Sequence, residues 1–192
     1  MSDKKEKKRD LILDTAFELI LDKGYLNTKI IDIANKAGIG KGTVYEYFES
    51  KEALLLELID KRVRRDYENV CGAAEKASGC KQKLSEYFRL EIETTSKYNA
   101  NVTDLRSDFT NSNTEISAKI TDSIYSIMLL QYEYVKGVIE KGIETGEFRK
   151  VDPYAATACF MGGISFYLHM LNLGLPCKKD SFLDCVFNGL FV

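Results

Sequence analysis

Residues 24–51, GYLNTKIIDIANKAGIGKGTVYEYFESK, decide the fold. They read as two short helices joined by a tight turn. Gly24 ends the preceding helix, because a position just past a helix C-terminus adopts positive φ most cheaply without a Cβ. Thr28 is placed to cap the next helix, whose apolar Ile30, Ile33, Ala34 and Ala37 recur at helical spacing. Gly38 interrupts that spacing, and a second helix is expected from about Gly40 to Phe48. Val44 and Phe48, four apart, turn inward and leave Lys41, Thr43, Tyr45 and Tyr47 for other faces. Ser50 can cap a third helix opening with Lys51. Helix, glycine-containing turn, helix is the helix-turn-helix plan, whose second helix enters the DNA major groove.

The first 60 or so residues resemble the tetracycline-repressor (TetR) family of bacterial regulators. The residues that carry the resemblance are Ile12, Ala16, Gly24, Thr28, Ile33-Ala34, Ala37-Gly38, Lys41-Gly42-Thr43, Tyr45, Tyr47-Phe48 and Lys51-Glu52-Ala53-Leu54. Two positions depart from the family pattern. Gly40 stands where a Ser commonly caps the recognition helix, and Glu46 where an aromatic or basic residue is frequent. Glu46 brings a negative charge to the groove unless it accepts from a cytosine amino group. The resemblance implies an all-α protein, with a three-helix helix-turn-helix DNA-binding domain at residues 1–50. Residues 51–192 then form a helical effector-binding and dimerisation domain. On the second helix Lys41, Gly42, Thr43, Tyr45 and Tyr47 are candidates for DNA contact: Val44 and Phe48 already supply the inward face, so Tyr45 and Tyr47 are expected at DNA rather than in the core, and Lys41 and Lys51, at helix starts, are expected to face phosphate rather than solvent alone. The resemblance also implies a phosphate contact from the Thr28 hydroxyl.

Working outward, Lys4, Lys5, Lys7, Lys8 and Arg9 precede a first helix that runs to about Lys23, with Ile12, Ala16, Leu19 and Ile20 inside. The basic cluster is either a solvated tip or an arm that neutralises DNA phosphates. Lys51 to about Lys76 reads as one long helix with Leu54, Leu55, Leu58, Ile59 and Val63 apolar, so no flexible linker is expected. Ala77-Ser78-Gly79 marks a turn. An amphipathic helix follows from Cys80 to about Tyr98, then a short one of uncertain ends within residues 99–113. A long helix from about Glu115 to Glu144 carries Ile116, Ile120, Ile124, Ile127, Met128 and Val135 inward. Gly142, Gly146, Glu147, Phe148 and Arg149 close it, and Asp152-Pro153 opens the next as cap and first residue.

Residues 153–173, PYAATACFMGGISFYLHMLNL, are almost uncharged, and a helix apolar all round needs cover on every side. After Gly174, Asp180 or Ser181 caps a last apolar helix. Two such helices exceed what one small domain can cover, so a second copy of the chain is expected on them. Phe160, Gly163, Tyr167, Phe182, Val186 and Phe187 are the candidate interface residues, and the resemblance implies a four-helix bundle across a two-fold axis. Tyr87, Phe88, Phe109, Tyr125, Met128, Tyr132 and Phe166 are candidates for an effector cavity, although aromatic residues at helical spacing usually belong to a core.

The bulk properties leave few other classes open. The 192 residues are 45% hydrophobic and 29% charged, ordinary for a globular protein. The net charge of −2 divides into +2 over residues 1–65 and −4 over the remainder, so the basic excess lies at the expected DNA-binding end. No run approaches the roughly 20 apolar residues of a membrane span. Five cysteines without a C-x-x-C pair, beside the single His169, provide no metal-ligand spacing and fit a reducing cytoplasm. Cys177 and Cys185 form either a thiol switch or, more simply, two inert thiols. No nucleophile elbow, phosphate-cradling loop or cofactor motif is present, so an enzyme is not expected, nor a metal or cofactor. The expected protein is a cytoplasmic homodimeric repressor. It binds a palindromic double-stranded operator and a small-molecule effector releases it. The alternative on the same fold is a ligand-independent, DNA-bound adaptor.

Overall fold

The computed structural model describes residues 2–96, 114–175 and 178–190. Among them are eight helices: α1 (Ser2–Lys23), α2 (Ile30–Lys36), α3 (Lys41–Tyr47), α4 (Lys51–Ala74), α5 (Cys80–Ser96), α6 (Thr114–Glu144), α7 (Pro153–Asn172) and α8 (Lys179–Leu190). The chain divides into two compact units, one comprising Met1–Val63 with Ala100–Ile124, the other Arg64–Asn99 with Tyr125–Val192. The division falls inside α4 and α6, so each of these helices runs from one unit into the other without a break. The short helix expected within residues 99–113, with Val102, Leu105 and Phe109, lies outside the described residues, as does Cys177.

The first unit closes on one core. Ile12, Leu13, Ala16 and Ile20 of α1 meet Ile33 and Ala34 of α2, Val44 of α3 and Leu54, Leu55 and Leu58 of α4. Tyr25 and Phe48 complete it from the connecting segments. Each fully buried Leu or Ile contributes about 1.5–3 kcal/mol, so the turn between α2 and α3 is held by what it joins. The turn itself is a Schellman motif: Ile39 N–H donates to Ala34 C=O at 3.0 Å and Gly38 N–H to Asn35 C=O at 3.2 Å. It requires positive φ at Gly38, which has φ +68°. The Arg9 guanidinium then pins α1 to α4 by a two-pronged contact with the Glu57 carboxylate, its Nε at 2.6 Å, while lying 4.6 Å over the Phe48 ring.

The second unit packs α5 centrally. Leu84, Tyr87, Phe88 and Ile92 are buried against Val70, Cys71 and Ala74 of α4, Val135 and Ile139 of α6, Phe160, Ile164 and Tyr167 of α7 and Phe187 of α8. The junction after α6 is also built from side chains. The Phe148 ring folds back under the last turn of α6, and the Glu147 carboxylate accepts the Cys80 and Lys81 N–H groups at 2.7 and 2.8 Å, capping α5 from a distance in sequence. Asp152 caps α7 by accepting from Tyr154 N–H at 3.0 Å, and Ser50 caps α4 by accepting from Ala53 N–H at 3.0 Å.

Several boundaries differ from expectation. The basic cluster does not precede α1 but forms its first turns, because charged residues with good helix propensity continue the helix. Thr28 does not cap α2; Lys29 holds that position, and the Thr28 hydroxyl donates to Gly24 C=O at 2.8 Å instead. The helix after Lys51 ends at Ala74, two residues short of the expected end. Met128 turns outward at 51% exposure, while Ile127 beside it takes the inner position. Neither Asp180 nor Ser181 caps α8, which already starts at Lys179. One side of α7 is covered within the unit, and Phe166 on the other is 62% exposed.

Candidate nucleic-acid interface

Helix α3 stands on Val44 and Phe48, so its opposite side is presented outward. Lys41, Gly42, Tyr45 and Glu46 are exposed there, with Thr43 at the edge of that surface. Tyr45 keeps 47% of its surface free, and the Lys41 ammonium lies 5.8 Å from the centre of its ring. That cation–π contact is near the outer limit of such interactions and holds both side chains on one face. Tyr47 differs: it packs in part against the unit's core and is half-buried. Gly40 precedes α3 in an extended conformation without a side-chain cap.

Thr28 and Lys51 are engaged elsewhere. Thr28 is fully buried and its hydroxyl proton is committed to Gly24, so it fixes the entry to α2 and has no surface for a phosphate. The Lys51 ammonium donates to Tyr25 C=O at 2.6 Å and sits 3.9 Å over the Tyr25 ring. Burial, helped by Glu52, pushes the Tyr25 phenol well above its ordinary range, so Tyr25 stays neutral beneath that lysine. Lys23 is likewise tied, 2.6 Å from Asp32, and this contact with the Lys29 N–H holds the Asp32 carboxyl below the usual carboxylate range. Sequence periodicity does not reveal the Lys23–Asp32, Lys51–Tyr25 and Arg9–Glu57 pairings, which join residues 9, 26 and 48 positions apart in the chain. Exposed cations are found on the α1 turns carrying Lys4, Lys5, Lys7 and Lys8.

In the second unit the effector candidates are not brought together. Tyr87 and Phe88 are interior, Tyr132 is half-buried, and Tyr125 faces outward at 59% exposure, as do Met128 and Phe166. Phe109 lies outside the described residues. The interface candidates are also largely used up within the chain. Phe160, Tyr167 and Phe187 are buried in the unit's own core, with Val186 and Phe182 packed against it. Phe182 stacks on Phe88 with ring centres 5.1 Å apart. A methyl group at Gly163 would sit 2.9 Å from Phe182 Cζ, so the close approach that Gly163 permits is to α8 of the same chain. What α7 leaves open is a strip of small residues, Ala155, Ala158, Cys159, Gly162 and Ser165, beside Phe166.

A polar group on the inner stripe of α5 escaped the sequence reading. Glu91 is four residues after Tyr87 and seven after Leu84, and it accepts from Gln131 Nε2 at 3.1 Å and Thr95 Oγ1 at 3.5 Å. Burial holds its carboxyl above the usual range against those two hydrogen bonds. A charge in register with an apolar stripe was the available signal. Among the described residues no cluster of His, Cys, Asp or Glu fits a metal ion, and no helix is long and apolar enough to cross a membrane.

Comparison with known proteins bears on both units. A family model described as bacterial regulatory proteins, tetR family, matches residues 12–58. Over 190 residues the chain is 29% identical to the fatty acid metabolism regulator protein of Bacillus subtilis, covering 93% of each. Its fold matches the transcriptional regulator FadR from Bacillus subtilis, solved in complex with stearoyl-CoA. There the TM-score is 0.67 and the identity 25%, over 94% of this chain and 98% of that one. A TetR/AcrR-family regulator from Thermobifida fusca superposes with a TM-score of 0.69 at 24% identity, over 95% and 98% of the two chains.

Proposed function

Since this chain belongs to the TetR family of bacterial transcriptional regulators, we propose that it is a homodimeric repressor that a long-chain acyl thioester releases from a two-fold symmetric operator in the cytoplasm. The observation that carries the DNA-binding part is the outward side of α3, with Lys41, Gly42, Thr43 and Tyr45 raised on a core-anchored turn. Lys41 neutralises phosphate, Tyr45 and Thr43 meet base edges or sugar, and Gly42 lets the helix backbone approach closely. Tyr47 contributes its exposed edge only. Thr28 and Lys51 position α2 and α4 rather than touch DNA. Helix-turn-helix residues 1–50 and the helical remainder from 51 act as the two functional domains, with α4 shared between them.

Support for the acyl thioester comes from the likeness to fatty acid regulators, which extends over both units and includes a stearoyl-CoA complex. Support for the dimer comes from the open strip on α7, where small side chains and Phe166 offer a second copy close backbone approach. A dimer reads two half-sites whose spacing the duplex fixes, so moving one α4 relative to the other weakens binding. A coupling of about 1–3 kcal/mol is enough for a 5- to 150-fold change in operator affinity.

Selection of bound duplexes from a random-sequence pool tests the DNA-binding reading, and inverted half-sites one helical turn or a multiple apart are expected. Adding stearoyl-CoA to the selected duplex should then weaken binding, and duplex should weaken stearoyl-CoA binding by the same factor. Equal stearoyl-CoA affinity with and without duplex removes the ligand-released mechanism and favours the adaptor.

A further inference from the structure

Tyr87 is fully buried at the seam of α4, α5 and α6, yet among the described residues its hydroxyl has no hydrogen-bond partner; the nearby Tyr134, its ring centre 5.7 Å away, has Glu75 beside its own hydroxyl. A buried hydroxyl without a partner is destabilising, and folded proteins keep few of them. One helical turn along α5 from Tyr87 lies Glu91. Both of its donors, Gln131 and Thr95, are uncharged and both reach Oε1, so among the described residues Oε2 keeps its lone pairs. No cation accompanies this carboxylate among its hydrogen-bond partners. Tyr87 and Glu91 therefore place one unused phenol donor and one unused carboxylate acceptor on adjacent turns of the same helix.

We propose that Tyr87 and Glu91 form the polar end of the effector site in the second unit, selecting an uncharged group that carries both a carbonyl and an N–H and rejecting a carboxylate. This rests on the acyl-thioester reading above and adds the chemistry of the discrimination. The Tyr87 hydroxyl donates to the thioester or amide carbonyl, and Glu91 Oε2 accepts from an amide N–H of the same ligand. A free fatty acid presents a carboxylate instead. Beside Glu91 it meets like charge in a half-buried setting and supplies no donor.

The experiment compares stearoyl-CoA with stearate by calorimetry on the full chain, as wild type, Glu91→Gln and Tyr87→Phe, with thermal denaturation of each ligand-free protein. In the wild type, stearoyl-CoA binds more tightly than stearate by about tenfold or more. Glu91→Gln removes the repelling charge and raises stearate affinity by about tenfold. Tyr87→Phe weakens stearoyl-CoA by about tenfold, while the ligand-free variant melts at or above the wild-type temperature, because an unpartnered hydroxyl has been deleted. Equal binding of both ligands by the wild type, or a stearate affinity untouched by Glu91→Gln, overturns the subsite and leaves the effector class standing. A lower melting temperature in ligand-free Tyr87→Phe assigns the hydroxyl a structural bond and overturns it as well. Binding of neither ligand overturns the effector class together with the subsite.

Discussion

Replacing Gly142 with Ala tests how the second unit is closed. Gly142 is in the last turn of α6, and a methyl group on it would lie 2.2 Å from Cδ2 and 2.3 Å from Cε2 of Phe148. Carbon atoms rest about 3.5–4.0 Å apart, so the ring must withdraw by more than an ångström. It is poorly free to do so: Phe148 is buried, and its own N–H is tied to Gly142 C=O at 2.9 Å. Overpacking of this kind costs about 1–3 kcal/mol, and expulsion of the ring costs about 3–5 kcal/mol. Against this, Ala gains about 1 kcal/mol over Gly in a helix. The expected net loss is up to about 2 kcal/mol with the ring shifted and about 2–4 kcal/mol with it expelled, read by urea or thermal denaturation. The decisive control is Gly142→Ala in a Phe148→Ala background. With the ring gone, the three atoms nearest the methyl group are gone and the helix gain is expected to prevail, so the same substitution changes sign. A Gly142→Ala variant as stable as wild type, or one equally destabilising without the ring, refutes the close-packing argument.

Three further outcomes are expected. Lys41→Ala and Tyr45→Ala weaken duplex binding, and Lys41→Ala lowers the salt slope by about one, whereas Lys51→Ala lowers thermal stability with the slope intact; gel-shift titrations at several salt concentrations with parallel melts separate the two classes. Glu147→Gln costs about 1 kcal/mol near neutral pH, because a weaker acceptor faces the Cys80 and Lys81 N–H groups. Burial opposes ionisation of Glu147, but those backbone donors prevail and hold its carboxyl below the usual range. Its contribution is thus complete above the unfolded value of about 4.3 and fades as pH falls through the folded one, so the stability gap to Glu147→Gln should close in acid; a gap constant from pH 7 to pH 3 is the contrary result. Ala158→Glu, on the open strip of α7, should leave a monomer in sedimentation experiments, and an undiminished dimer moves the interface elsewhere.

Local chemistry made the helix-turn-helix legible. Gly24 and Gly38 have the positive φ that helix ends demand, and Ser50 and Asp152 cap the helices they precede. Each of these depends on residues within a few positions. Val44 and Phe48 show the same property one level up, since four-residue spacing alone selects the side of α3 that the core covers. Thr28, by contrast, is a good capping residue in any helix-start context, and only the position of Gly24 C=O diverts its hydroxyl. Lys51 looks like a surface cation until Tyr25 is placed beneath it. In both cases the sequence shows a side chain's capacity and the tertiary structure chooses its partner.

The second unit was less legible for a related reason. Aromatic residues at helical spacing serve a core and a cavity equally well, and the spacing does not separate Tyr87, which is interior, from Tyr125, which is outside. Glycine at a helix contact is equally neutral: Gly163 admits a neighbour, and packing decides that the neighbour is Phe182 of the same chain. The informative residue is the one that does not belong. Burying a carboxylate on an apolar stripe carries a desolvation penalty that a core alone has no reason to bear. Leu84, Tyr87, Phe88 and Ile92 already fill the stripe of α5, and Glu91 interrupts it beside a phenol that has no hydrogen-bond partner among the described residues. Among the described residues, two polar groups with incomplete hydrogen bonds at one seam are the reason the effector subsite is proposed there.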